Sequence, residues 1–196
     1  MTVIPGNHDA YVKADIISVA NDISGIVAEV DVKEGQALLA IAAEKLLNRL
    51  PAGHVLRLRQ TLISARLALA AGHVAEARQG MLQVLKQGDG SIDQRPVRQA
   101  TLDLLARADL QAGEPSAALS HAQQAVALAR EAAQGFEASA FLGQYLLTLG
   151  LAQQAQGQPD TARLSWQQAQ AQIGPTMADS AQAALELRRL LAAAPR

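Results

Sequence analysis

A glycine recurs in the same local pattern three times along the chain, and this repeat constrains the fold more than any other feature. Gly72, Gly113 and Gly157 each end one apolar stretch of helical period and stand just before the next. An alanine follows each glycine five positions later, and a proline stands two positions after the second and third glycines. Glycine past the end of one helix and proline just inside the next are typical of a tight turn between helices. The pattern therefore predicts consecutive helical hairpins.

The spacing of apolar residues predicts a leading helix over residues 37–53 and seven further helices after it. The predicted ranges are 54–71, 74–87, 95–112, 115–134, 138–156, 159–173 and 176–193. Alanine and leucine make up 69 of the 196 residues, and aromatic residues only 3%. Small side chains let neighbouring helices approach closely, so this composition favours an array of packed helices. The expected fold class is all-α.

The third copy of the repeat has the most detailed pattern, in Leu146, Leu149-Gly150, Ala162, Trp166 and Ala169. At these positions residues 54–193 resemble tetratricopeptide repeats. The resemblance implies a right-handed superhelix of three repeats over 54–175 and a capping helix over 176–196. The repeat glycines are 41 and 44 residues apart, against about 34 in the common form, which implies longer helices. The alternative is an unrelated alanine-rich bundle, because glycine-separated helix pairs also occur there. We expect Trp166 to be a core residue.

The resemblance also implies a concave surface, lined by the first helix of each hairpin, that holds extended peptides or partner helices. The family's inward-facing positions correspond to nine residues: Arg59, Leu62, Arg66, Asp103, Arg107, Gln111, Gln144, Leu147 and Gln154. The three arginines among them suit an acidic protein or peptide partner, because a guanidinium pairs with a carboxylate through two hydrogen bonds. An ordinary solvated helix face is the alternative. The chain lacks the lysine and asparagine set with which some members hold a terminal carboxylate.

Residues 1–36 differ in composition from the rest of the chain. They contain 11 of the 20 valines and isoleucines and have a net charge of -4. This β-prone segment predicts two short strands. Residues 9–36, with turns at Gly25 and Gly35, resemble the start of the biotinyl-lipoyl-like domain of membrane-fusion adaptor subunits. The resemblance implies an incomplete adaptor-like fragment, and an alternative function through strand addition in an efflux or secretion assembly.

The sequence Gly6-Asn7-His8-Asp9 lies within residues 3–11, which resemble a conserved block of calcineurin-like metallophosphoesterases. In that family the asparagine ligates a metal and the histidine stabilises the transferring phosphoryl group, which implies these roles for Asn7 and His8. The family's other metal-binding motifs are not found in the sequence. We therefore expect no metal site, no cofactor and no enzymatic activity.

The net charge of the whole chain is -1, which offers no basic field for nucleic acid. No apolar run of 18 residues and no signal peptide is visible, so we expect no membrane insertion and a cytoplasmic location. Fragments resembling three families in this order are explained either by a natural fusion or by a recombined, designed or mis-assembled coding sequence. The expected function is a non-catalytic scaffold that binds a peptide or helix of a partner protein.

Overall fold

The computed structural model describes residues 47–193, and the secondary structure of this part of the chain is helical. The helices are α1 (Val55–Ala70), α2 (Val74–Gln87), α3 (Arg95–Gln111), α4 (Pro115–Ala132), α5 (Ala140–Ala155), α6 (Pro159–Ile173) and α7 (Gln182–Ala193), with a short 3-10 helix (Ile92–Gln94) before α3. The all-α fold class is confirmed for the described residues. The predictions for residues 1–36, adaptor-like and phosphoesterase-like alike, and for the first ten residues of the leading helix lie outside them.

The three repeat glycines form the same turn. Gly72, Gly113 and Gly157 have φ values of 82°, 74° and 74°, in the left-handed region that side chains with a Cβ rarely adopt. In each turn the residue after the glycine donates its N–H to the carbonyl five residues back, at 2.8 to 2.9 Å. This bond closes a Schellman motif, which satisfies carbonyls at the helix end. The next helix begins two residues after each glycine, so α1–α2, α3–α4 and α5–α6 are the hairpins that the pattern predicts.

Small residues let the two helices of a hairpin pack closely. The alanines five positions after each glycine are fully buried: Ala77, Ala118 and Ala162. In the third hairpin Trp166 lies against Gly150, where an added Cβ would stand 2.2 Å from the indole Nε1. The ring is 2% exposed, and its N–H donates to the carbonyl of Leu147 at 3.3 Å. Trp166 is therefore a core residue, as the sequence predicts.

An ion-pair cluster around one buried aspartate joins the first two hairpins. The side chain of Asp109 on α3 is fully buried, and its carboxylate lies 2.9 Å from Nε of Arg78 on α2 and 2.7 Å from Nδ1 of His121 on α4. Arg78 also donates two hydrogen bonds to Glu114, at 3.1 and 2.7 Å. Its hydrogen bond to Glu114 and the nearby charge of Asp109 raise the pKa of Arg78 above the ordinary value. The cluster fixes the position of the first hairpin on the second.

The C-terminal helix begins later than predicted, at Gln182 instead of residue 176. The reason lies at the end of α6, where the N–H groups of Thr176 and Met177 both donate to the carbonyl of Ile173. These bonds fold the chain back into a turn, so the next helix starts only after the turn ends. Helix α7 then packs on α6 and contacts α5, with Ala183 and Leu187 buried in the main core cluster.

Candidate functional site

A groove with a volume of about 440 Å³ runs across the first helices of the hairpins. Helix α3 contacts both α1 and α5, so these three helices form a row, and α7 contacts α5 at the far end. Side chains from all four helices line the groove. The glycine turns set this arrangement, because they reverse the chain after each first helix and leave α1, α3 and α5 adjacent. One concave surface thus collects residues that are far apart in sequence.

The structure brings six of the nine predicted site residues into this groove: Arg59, Leu62, Arg66, Asp103, Arg107 and Gln144. Gln111 and Gln154 are exposed near the ends of their helices and are not part of the lining. Leu147 is 1% exposed and belongs to the core cluster that also contains Ala183 and Leu187 of α7. The structure thus places Leu147 in the core and outside the groove lining.

Large apolar side chains stand exposed inside the groove. Ile63 on α1 is 61% exposed and Phe141 on α5 is 47% exposed, and Leu62 and Leu104 are half-buried beside them. Each of the two exposed side chains leaves apolar surface in contact with water, and burying such a side chain fully contributes roughly 1.5 to 3 kcal/mol. In a concave surface these side chains can all contact one ligand. The groove therefore has the apolar lining that a bound peptide or helix requires.

Asp103 lies at the centre of a polar cluster between α3, α5 and α7. Its side chain is 9% exposed, and Oδ2 accepts a hydrogen bond from Nε of Arg107 at 3.1 Å. The carboxylate of Asp103 raises the pKa of Arg107, and Glu186 on α7 adds to the effect. Burial raises the pKa of Tyr145, and the negative charge of Asp103 raises it further, so the phenol keeps its proton at neutral pH. Within residues 47–193, Oδ1 of Asp103 has no hydrogen-bond partner.

The three arginines that the sequence assigns to an acidic partner have different surroundings in the groove. Arg59 and Arg66 are the basic lining residues on α1, and both side chains are exposed. Arg107 is instead held by Asp103 and lies within electrostatic range of Glu186. These three lining groups together carry a charge of -1. The groove is therefore basic at α1 and acidic toward α7.

Several lining residues were not predicted from the sequence. For some of them, the distance from the repeat glycine was a signal that could have identified them. Ile63 and Leu104 stand at the same distance before the glycines of their copies, and Ala100 aligns with Arg59 and Gln144 in the same way. Applying one frame to every copy would have found them. No repeat frame predicts Glu186, because α7 is outside the repeats.

No group of three or more histidine, aspartate or glutamate side chains in residues 47–193 is placed to hold a metal ion. In the same part of the chain, no helix combines the length and the apolar character needed to span a bilayer. No protein-family model matches the sequence, and no similar sequence is found among curated proteins. The function is therefore inferred from the groove itself.

Proposed function

We propose that this chain is a non-catalytic protein-interaction scaffold of the tetratricopeptide-repeat type, whose groove binds a peptide or helix of a partner protein. The observation that carries the proposal is the groove of about 440 Å³, in which Ile63 and Phe141 expose apolar surface toward one shared space. The three hairpins with matching glycine turns support a repeat array that curves as a right-handed superhelix. A regular array of this kind provides a rigid concave surface for a partner segment.

The chemistry of the lining favours an amphipathic occupant. Apolar side chains of a partner would bury Ile63 and Phe141, while the exposed Arg59 and Arg66 would pair with an acidic side chain at the α1 end. Partner segments of this type anchor through side chains spaced at one helical turn when they bind as a helix. The proposed partner is therefore a protein segment with an apolar face and at least one acidic residue.

The test is a selection of random displayed peptides on the immobilised full chain, compared with two groove variants. Phe141→Ala removes an exposed apolar contact, and Ala100→Trp fills the groove from α3. The matched control is Phe136→Ala, because Phe136 is 72% exposed and is not in the groove lining. We expect peptides enriched on the wild-type chain to bind the control equally and to lose affinity for both groove variants. Enrichment that survives in both groove variants would place binding elsewhere and refute the proposal.

A further inference from the structure

One carboxylate of the groove has a hydrogen-bond donor on only one of its two oxygens. Asp103 is more than nine-tenths buried, and its Oδ2 is paired with Nε of Arg107. Its Oδ1 is buried as well, without a donor from the part of the chain that the structure describes. A buried carboxylate oxygen without a donor is unfavourable, so binding a group that supplies the missing N–H is favoured. Asp103 lines the groove, and a bound segment can therefore supply it.

The surroundings of Asp103 select the charge of that donor. Arg107 is the basic lining residue at this end, and two carboxylates, Asp103 and Glu186, already act on it. Tyr145 adds no charge because its phenol is protonated, and Gln99 is a neutral amide that donates one N–H to the carbonyl of Leu128 at 2.9 Å. A ligand carboxylate at this place would meet two like charges, whereas a cation would neutralise the local charge of -1.

We propose that the groove recognises a partner segment through a lysine or arginine side chain, which donates hydrogen bonds to Asp103 and pairs with Glu186. Oδ1 itself is closed to solvent, so the bound cation reaches it through rotation about the Cβ–Cγ bond, a torsion that is broad for aspartate. With Arg59 and Arg66 at the opposite end, the groove fixes the direction of the segment. Its acidic residue lies over α1 and its basic residue lies toward α7. This inference rests on the proposed function, because it names the partner chemistry of the same groove.

The experiment starts from peptides enriched by selection on the full wild-type chain. Selected peptides are expected to carry an acidic and a basic residue at a constant separation. In a synthetic copy of an enriched peptide the basic residue is replaced by norleucine, which keeps an apolar stem and removes the charge. We expect this replacement to weaken binding to the wild-type chain about tenfold or more. Against Asp103→Asn the same replacement should have a clearly smaller effect, because only Glu186 remains to pair with the basic residue.

A second variant and a matched control distinguish loss of the charge interaction from a folding defect. Glu186→Gln changes a half-buried residue on α7 and should reduce the norleucine effect in part. Glu137→Gln removes an exposed carboxylate from the α4–α5 connection, outside the groove lining, and should leave the effect unchanged. Thermal unfolding of each variant shows whether it is folded at the assay temperature. If Asp103→Asn is unfolded, Glu186→Gln and its control carry the comparison.

The outcomes separate this inference from the proposed function. Enriched peptides that lack a basic residue, but lose binding in Phe141→Ala, would overturn the inference and leave the scaffold function in place. A norleucine effect of equal size in wild type, Asp103→Asn and Glu186→Gln would also overturn it. No enrichment on the wild-type chain above a bare surface would overturn both.

Discussion

Replacement of Gly150 by alanine tests the packing of the third hairpin, because two effects of opposite sign meet at this residue. In the interior of a helix, alanine is favoured over glycine by about 1 kcal/mol. The added Cβ would, however, stand 2.2 and 2.4 Å from Nε1 and Cδ1 of Trp166, where non-bonded heavy atoms need about 3.5 Å. The ring or the helix must therefore move by more than about 1 Å.

The expected net effect follows from how little the indole can move. Trp166 is 2% exposed, and its N–H is bonded to the carbonyl of Leu147. Overpacking a core of this kind typically costs about 1 to 3 kcal/mol, and a fixed ring favours the upper end. After the gain in helix propensity, we expect Gly150→Ala to lower the free energy of unfolding by about 2 kcal/mol. In a chain of this length that corresponds to a fall in Tm of about 4 to 8 °C.

The assay is urea unfolding followed by circular dichroism at the helical band, which works in variants with and without tryptophan. A double-mutant cycle with Trp166→Leu isolates the contact, because leucine lacks the ring atoms that the new Cβ would meet. In that background we expect Gly150→Ala to be neutral or stabilising. An increase in the stability of the single variant Gly150→Ala would refute the packing argument.

Three further predictions concern the ring of Trp166, the ion pairs of Arg78 and the phenol of Tyr145. Trp166→Ala should cost about 3 to 5 kcal/mol because the ring is buried, and an unchanged melting temperature would contradict this. Arg78→Met should cost about 1 to 3 kcal/mol, because the fully buried Asp109 loses the cation beside Oδ1 and keeps only His121 beside Oδ2. Glu114→Gln should cost less than about 1 kcal/mol, because that carboxylate is half-exposed, and equal costs in urea unfolding would refute the distinction. Burial raises the folded-state pKa of Tyr145 above that of the unfolded chain. The unfolded state therefore loses this proton first above about pH 10, and stability falls as pH rises further. Tyr145→Phe should reduce that fall, and parallel pH profiles for the two proteins would argue against the buried phenol.

The hairpins were predictable from sequence because their turns depend on local chemistry. The turn at Gly113 requires a positive φ, which glycine adopts readily. The first position of a helix does not use its backbone N–H, so proline fits there, as at Pro115. These two residue types therefore indicate where one helix ends and the next begins. The burial of Trp166 was predictable from the repeat pattern, because its small partner Gly150 stands at the matching position of the repeat.

The groove was only partly predictable, because its charges depend on contacts between separate elements. A helical period places Asp103 and Arg107 one turn apart, but it does not show that the carboxylate is buried and holds the guanidinium. The approach of Glu186 depends on where α7 packs, and that depends on the turn after α6. A repeat frame alone assigns Leu147 to the open surface, yet the side chain is 1% exposed and belongs to the main core cluster.

The pairing of a large with a small core residue inside the first and third hairpins bears on how such a chain can change in length. Gly150 and Trp166 belong to the same hairpin, and the equivalent pair in the first hairpin, Ala65 and Met81, also lies within one core cluster. Each of these two hairpins therefore contains both halves of its own size match, and duplication or loss of such a unit by recombination would keep that match. The ion pair between Arg78 and Asp109 crosses from one unit to the next. Junctions, rather than unit interiors, are thus where a rearranged array would need compensating substitutions.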